Sequence, residues 1–188
     1  MGALGKAMLT TGGSAMPYVL LDRREPAPIR RSLLARIHSC PRALATQVGW
    51  FITEAWGVAA PHWVEQSQEP ASMRADVTAT GRAGSAATLA SRLAGLGRLR
   101  FEVLVLATDE RMGERFSATP TLGLHRSIID GAGEVLIPEA PLRGLRESRS
   151  MDLAEQIAHL LGEEWECELE PYRAVEHLDR MIAGSRGA

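Results

Sequence analysis

From Leu33 the chain alternates Leu33, Ala35 and Ile37 with polar or smaller residues, the two-residue period of a short strand. A helical period follows, with Leu44, Val48, Phe51, Ile52 and Ala55 on one face. This helix is expected to open at Pro41, with Ser39 or Cys40 as its cap and Gly57 just past its end. A second strand is predicted from His62 to Gln66, with a turn at Gln68-Glu69-Pro70-Ala71. Strict alternation of Met73, Ala75, Val77 and Ala79 with Arg74, Asp76, Thr78 and Thr80 predicts a strand with one wet face. Ala86, Leu89, Ala90, Leu93 and Leu96 form a helical stripe closed by Gly97, and Leu99, Phe101, Val103 and Val105 alternate again.

The predicted order is strand, helix, strand, strand, helix, strand, which is the ferredoxin-like βαββαβ plan in an α+β domain. Its core is expected over about residues 32–109. A hairpin (about Leu122–Ile129 and Glu134–Ile137) is expected around Asp130-Gly131-Ala132-Gly133. A helical extension to about residue 183 should follow: a short helix near Pro141–Glu147, then one capped by Ser150 with Leu153, Ile157, Leu160 and Leu161 inward. Trp165 and Leu169 extend the pattern, and Val175, Leu178, Met181 and Ile182 suggest a final amphipathic turn or two. Residues 1–31 mix Gly, Pro, Thr and Arg without a period and read as a flexible tail outside one domain over 32–188.

Composition narrows the function classes. With 45% hydrophobic and 23% charged residues, 188 residues suffice for one self-sufficient core. A net charge of -2 gives no general attraction to nucleic acid. No apolar run approaches the roughly 20 residues of a membrane span. Two cysteines, Cys40 and Cys167, are too few for a disulfide framework and lack zinc-site spacing, so a reducing cytoplasm is expected. The five histidines form no ligand-spaced pair, and neither a metal nor a cofactor is expected. Lys6 is the sole lysine and asparagine is absent, a coding bias that makes the many arginines poor evidence for phosphate binding.

Two segments hold candidate chemistry. His38, Ser39 and Cys40 precede the first predicted helix, where unbonded N-H groups and the helix dipole favour an anion, with Arg42 as an added donor. The same dipole favours a thiolate at Cys40, but no base partner is evident. Glu114, Arg115, Ser117 and Thr119 crowd a segment that reads as a connection; they are either ligand contacts or the hydrogen bonds that order a long crossover. His38, Ser39, Arg42, Glu114, Arg115 and Thr119 are therefore the candidate ligand contacts, and no residue is assigned a catalytic role. The glutamates around Trp165 and Leu169 read as a solvated face about two buried anchors, or as a docking surface for a basic partner.

Several strings resemble an actinobacterial family known as domain of unknown function 3145. They include His38-Ser39-Cys40-Pro41-Arg42-Ala43-Leu44, Leu99-Arg100-Phe101-Glu102-Val103, Gly113-Glu114-Arg115-Phe116-Ser117-Ala118-Thr119-Pro120 and Glu168-Leu169-Glu170-Pro171-Tyr172-Arg173. The chain departs from the family pattern at Cys40, Phe116, Thr121 and Ala140-Pro141, and carries Arg126 where the family has histidine, with His125 one place earlier. These departures speak against a shared catalytic role for Cys40, Phe116 or His125. The resemblance implies no activity or cofactor, only a hint of a link to fatty-acid metabolism. The expected function is a noncatalytic binding or regulatory module for a protein partner or an anionic metabolite. The rival is a small enzyme acting on an anionic acyl or phosphorylated substrate, with His38 and Glu114 moving protons. Oligomeric state is left open.

Overall fold

The computed structural model describes residues 29–147 and 152–173. Seven strands form one antiparallel sheet: β1 (Arg30–Pro41), β2 (Val64–Glu65), β3 (Ser72–Arg82), β4 (Arg100–Val105), β5 (Gly113–Thr119), β6 (Gly123–Ile129) and β7 (Val135–Leu136). Their spatial order is β2-β3-β1-β4-β5-β6-β7. Helix α1 (Ala45–Trp56) connects β1 to β2, and α2 (Ala83–Ala94) connects β3 to β4. After β7 come α3 (Glu139–Glu147), α4 (Leu153–Leu161) and a helix over residues 163–173, here α5. Among the described residues no helix is long and apolar enough to cross a membrane.

The core lies between the sheet and the α1–α2 layer. Leu33, Ala35, Ile37, Phe101, Val103 and Phe116 point from the sheet into it. Val48, Ile52, Leu89 and Leu93 meet them from the helices. Each such large side chain contributes about 1.5 to 3 kcal/mol when removed from water. Ala86 and Ala90 are fully buried on α2, where small side chains let the helix lie close to the sheet.

The α+β class holds, but the plan differs from the expected four-strand sheet with a separate hairpin. Residues 113–119, expected as a connection, are strand β5, and β5, β6 and β7 continue the same sheet beyond β4. The expected strand at His62–Gln66 shrinks to Val64–Glu65. β1 begins at Arg30, inside the expected tail, because the buried Arg31 guanidinium donates to the carbonyls of Leu106 (2.6 Å) and Met112 (3.0 Å). Residues 1–28 and the stripe from Val175 to Ile182 lie outside the described residues.

The first helix also starts later than expected. Cys40 and Pro41 stay in β1, paired with Met73 and Ser72 of β3. A 3-10 turn, Arg42–Leu44, then intervenes, and neither it nor α1 has a side-chain cap. Ser39 and Cys40 therefore cap nothing: the ladder to β3 outcompetes local capping. Gly57 does close α1 in the left-handed conformation, at φ 68°. The cap of α4 is Asp152, whose carboxylate accepts from the Ala154 amide, in place of the expected Ser150.

Candidate functional site

The second face of the sheet, opposite α1 and α2, gathers polar side chains. Alternation along β4, β5 and β6 puts Glu102, Ser117 and His125 side by side there, since Glu102 pairs with Ser117 and Ser117 with His125. His38 joins them through a bulge in β1. The register shifts between Ile37 and Cys40, both core-facing, and His38 and Ser39 occupy the extra length. Helix α5 crosses this face: the Trp165 indole N-H donates to the Gly123 carbonyl at 3.0 Å, and Leu169 is fully buried.

Charges beneath α5 are linked end to end. His38 Nε2 lies 2.9 Å from Glu102 Oε2, and both side chains are buried. Arg173 grips the same carboxylate with two bonds, Nη2 to Oε1 at 2.6 Å and Nε to Oε2 at 3.1 Å. Its Nη1 donates to Glu166, whose other oxygen lies 3.1 Å from Arg115 Nη2. β1, β4, α5 and β5 are thus tied through five side chains. Burial would raise the Glu102 carboxyl, but the bonds and charges of His38 and Arg173 outweigh it and hold it at about 2. Burial pulls Arg173 the other way, yet Glu166 and Glu102 keep its guanidinium charged.

Of the six expected ligand contacts, the structure brings His38 and Arg115 into this one network. Ser39 is beside it: its hydroxyl donates to Glu69, which also takes Arg100 at 3.1 Å, and Arg100 lies 4.8 Å over the Tyr172 ring of α5. The other three are elsewhere. Arg42 forms an exposed pair with Glu65 at 2.6 Å, and Glu114 pairs with Arg126 at 2.5 Å on the α2 side of the sheet. Thr119 is buried and accepts the Leu122 amide at 3.1 Å. The anion cradle expected before α1 is not formed, because Arg42 already has a carboxylate and α1 begins at Ala45, four residues after Pro41. His38 and Glu102 touch each other rather than an open cleft, so neither reaches a substrate in this arrangement.

Sequence reasoning missed Glu102, Glu166 and Arg173. A signal for the first was present: Glu102 is the sole charge in the apolar run Phe101–Leu106.

The other reactive candidates are muted. Burial pushes the Cys40 thiol up to about 12, so it is no nucleophile at neutral pH. Cys167 is exposed on α5. Iodoacetamide on the native protein is expected to alkylate Cys167 alone, with Cys40 reacting only after denaturation; peptide mass mapping reads this directly. Trp165, considered as a docking anchor, is buried and stacks on His125 at 4.6 Å between centroids. Burial, reinforced by the nearby charges of His159 and Arg115, pushes the His125 imidazole below its ordinary pKa. Among the described residues no three of His, Cys, Asp and Glu converge as metal ligands would.

No curated protein and no solved structure matches this chain. The family model described as a protein of unknown function, DUF3145, matches residues 34–181, which take in every strand after the start of β1, all five helices and the whole charge network; the chain belongs to that family.

Proposed function

We propose that this protein is a noncatalytic module that recognises another protein through its α1–α2 layer. The observation that carries the reading is Trp50, 57% exposed on the outer side of α1. Its ring lies 5.6 Å from that of Phe51, and the Arg92 guanidinium of α2 sits over both, at 5.4 Å and 4.3 Å. Arg92 is in turn fixed by Glu54 at 2.7 Å. A tryptophan and an arginine held in one geometry lose little freedom on binding, and these two types dominate interface hot spots. The mutual neutralisation of His38, Glu102, Arg173, Glu166 and Arg115 supports a noncatalytic role over acid-base chemistry on an anionic substrate.

Within this reading the first four strands follow the ferredoxin-like plan, supported by the order β2-β3-β1-β4 with β1 antiparallel to both neighbours. Residues 32–188 make one domain, supported by the single sheet to which α1, α2 and α5 all pack. Two cysteines not joined to each other support a reducing cytoplasm.

Wild type and Trp50→Ala, immobilised in parallel, are to be exposed to an extract of the producing cells and their retained proteins quantified. A hot-spot tryptophan is worth at least about 2 kcal/mol, so a specific partner should fall about 30-fold on the variant. Thermal unfolding should change little, because more than half of Trp50 is already in water. Equal retention on both would refute the assignment.

A further inference from the structure

Strand β6 is interior for part of its length and an edge for the rest. On one side it pairs with β5 along its whole length, from Gly113–Ile129 to Thr119–Gly123. On the other side β7 reaches only Ile128 and Ile129. In an antiparallel sheet alternate residues aim both N-H and C=O at the same neighbour. The Asp130 amide donates across to the Glu134 carbonyl at 3.0 Å, so Ile128, Arg126 and Leu124 share its direction, toward the β7 side. His125 and Ser127 face β5. Extending the Ile128–Leu136 register by two residues sets Arg126 opposite Pro138, which has no N-H to offer, so the ladder stops there.

Among the described residues no other strand pairs with the rest of this edge, which borders a hollow of about 210 Å³. Four consecutive β6 residues, His125 to Ile128, line it, and only the edge of a strand presents four successive residues to one space. The opposite wall is aliphatic, with Ile137, Pro138, Pro141 and Leu160. Arg126 supplies the charge: its side chain is 61% exposed, and beyond the single bond to Glu114 its guanidinium keeps further donors.

We propose that the β6 edge at Leu124 and Arg126 receives an extended apolar peptide segment of a partner protein that places an acidic residue opposite Arg126. An extended backbone offers the alternating donors and acceptors that this edge presents. Cross-strand pairing sets the residue opposite Arg126 on the Arg126 face and its two neighbours on the His125 and Leu160 side. The charge rule follows: acidic at the first position, aliphatic at the others. The inference rests on the reading of the chain as a protein-recognition module, but it uses a surface separate from Trp50.

The test uses the full chain with two probes, acetyl-Val-Glu-Val-Glu-Val-amide and the same peptide with lysine in place of glutamate. In the free protein the Leu124 and Arg126 amides should exchange with solvent rapidly, while those of His125 and Ser127 are protected by β5. The glutamate peptide should slow exchange at Leu124 and Arg126 at least tenfold and bind at least tenfold tighter than the lysine peptide. N-methylation of its central valine and both glutamates should abolish binding. Arg126→Glu should reverse the preference between the peptides, with continued protection of His125 and Ser127 reporting an intact fold. Slow exchange of Leu124 and Arg126 in the free chain, equal binding of the two peptides, undiminished binding after N-methylation, or no binding at millimolar peptide would each overturn the proposal. Trp50→Ala should bind the peptide as wild type does, so either surface can fail without the other.

Discussion

Substituting Arg173 with alanine is expected to destabilise the fold by about 3 kcal/mol, because it leaves the Glu102 carboxylate, 3% exposed, with only His38 to compensate its burial. The lower end of the range for a broken buried pair applies, since Arg173 keeps a fifth of its side chain in water. Glu166 and Arg115 lose their link to β4 at the same time. The pH dependence follows from the same residues. The Glu102 carboxyl titrates at about 2 in the folded chain against an ordinary value of 4.5. Its stabilisation is therefore present above pH 4.5 and is lost as the pH falls toward 2. Urea unfolding of wild type between pH 2 and 7 should show that loss, and Glu102→Gln should flatten it. In Arg173→Ala the loss should be smaller and complete at a higher pH, the carboxyl having lost one of the two partners that hold it down. Identical urea midpoints for wild type and Arg173→Ala at pH 7 would mean that the pair holds nothing together.

Gly162→Ala is expected to cost a similar amount, about 3 kcal/mol, by two separable routes. The residue ends α4 at φ 78°, where an L side chain is strained by roughly 1 to 2 kcal/mol. A methyl group there would also stand 2.8 Å from the Cε1 and Nδ1 atoms of His125. That ring has little room to retreat, being stacked on Trp165 and hydrogen-bonded to the His159 backbone. Overpacking of this kind adds about 1 to 3 kcal/mol. In a double-mutant cycle, His125→Ala should remove the second part and leave the first. If the two substitutions prove strictly additive, the close approach of Gly162 to His125 is not what restricts that position.

The periodic elements were legible. β3, β4, α1 and α2 each bury one stripe against one partner layer, and a single-layer contact imprints its period on the sequence. The sequence of β5 does not announce a strand, although Phe116 and Ala118 alternate with Arg115 and Ser117. Its second face is buried against α5 through charges and hydroxyls, and such a strand looks like a polar connection. The start of α1 was misplaced because Ser39-Cys40-Pro41 is good capping chemistry in isolation. Only the distant strand β3 commits those backbones to a ladder. In the candidate site His38 and Arg115 were identified, but Glu102 lies 64 residues from His38 and 71 from Arg173. No local spacing rule connects such groups. The anionic-ligand reading weakened for the same reason: whether an arginine awaits a phosphate or already holds a glutamate is decided by tertiary contacts.

The position of β1 bears on how the chain is made. It precedes every other strand of the described residues, yet it sits inside the sheet, hydrogen-bonded to β3 on one side and β4 on the other. During synthesis its apolar side chains wait until Val105 has been added. At about 5 to 20 residues per second, the 64 positions after Pro41 take roughly 3 to 13 s. Until Arg82 completes β3 both long edges of the strand are unpaired, and the edge that β4 takes stays open until Val105. The nascent chain is therefore most exposed to chaperone capture, or to mispairing with a neighbouring nascent chain, before α2 and β4 leave the ribosome.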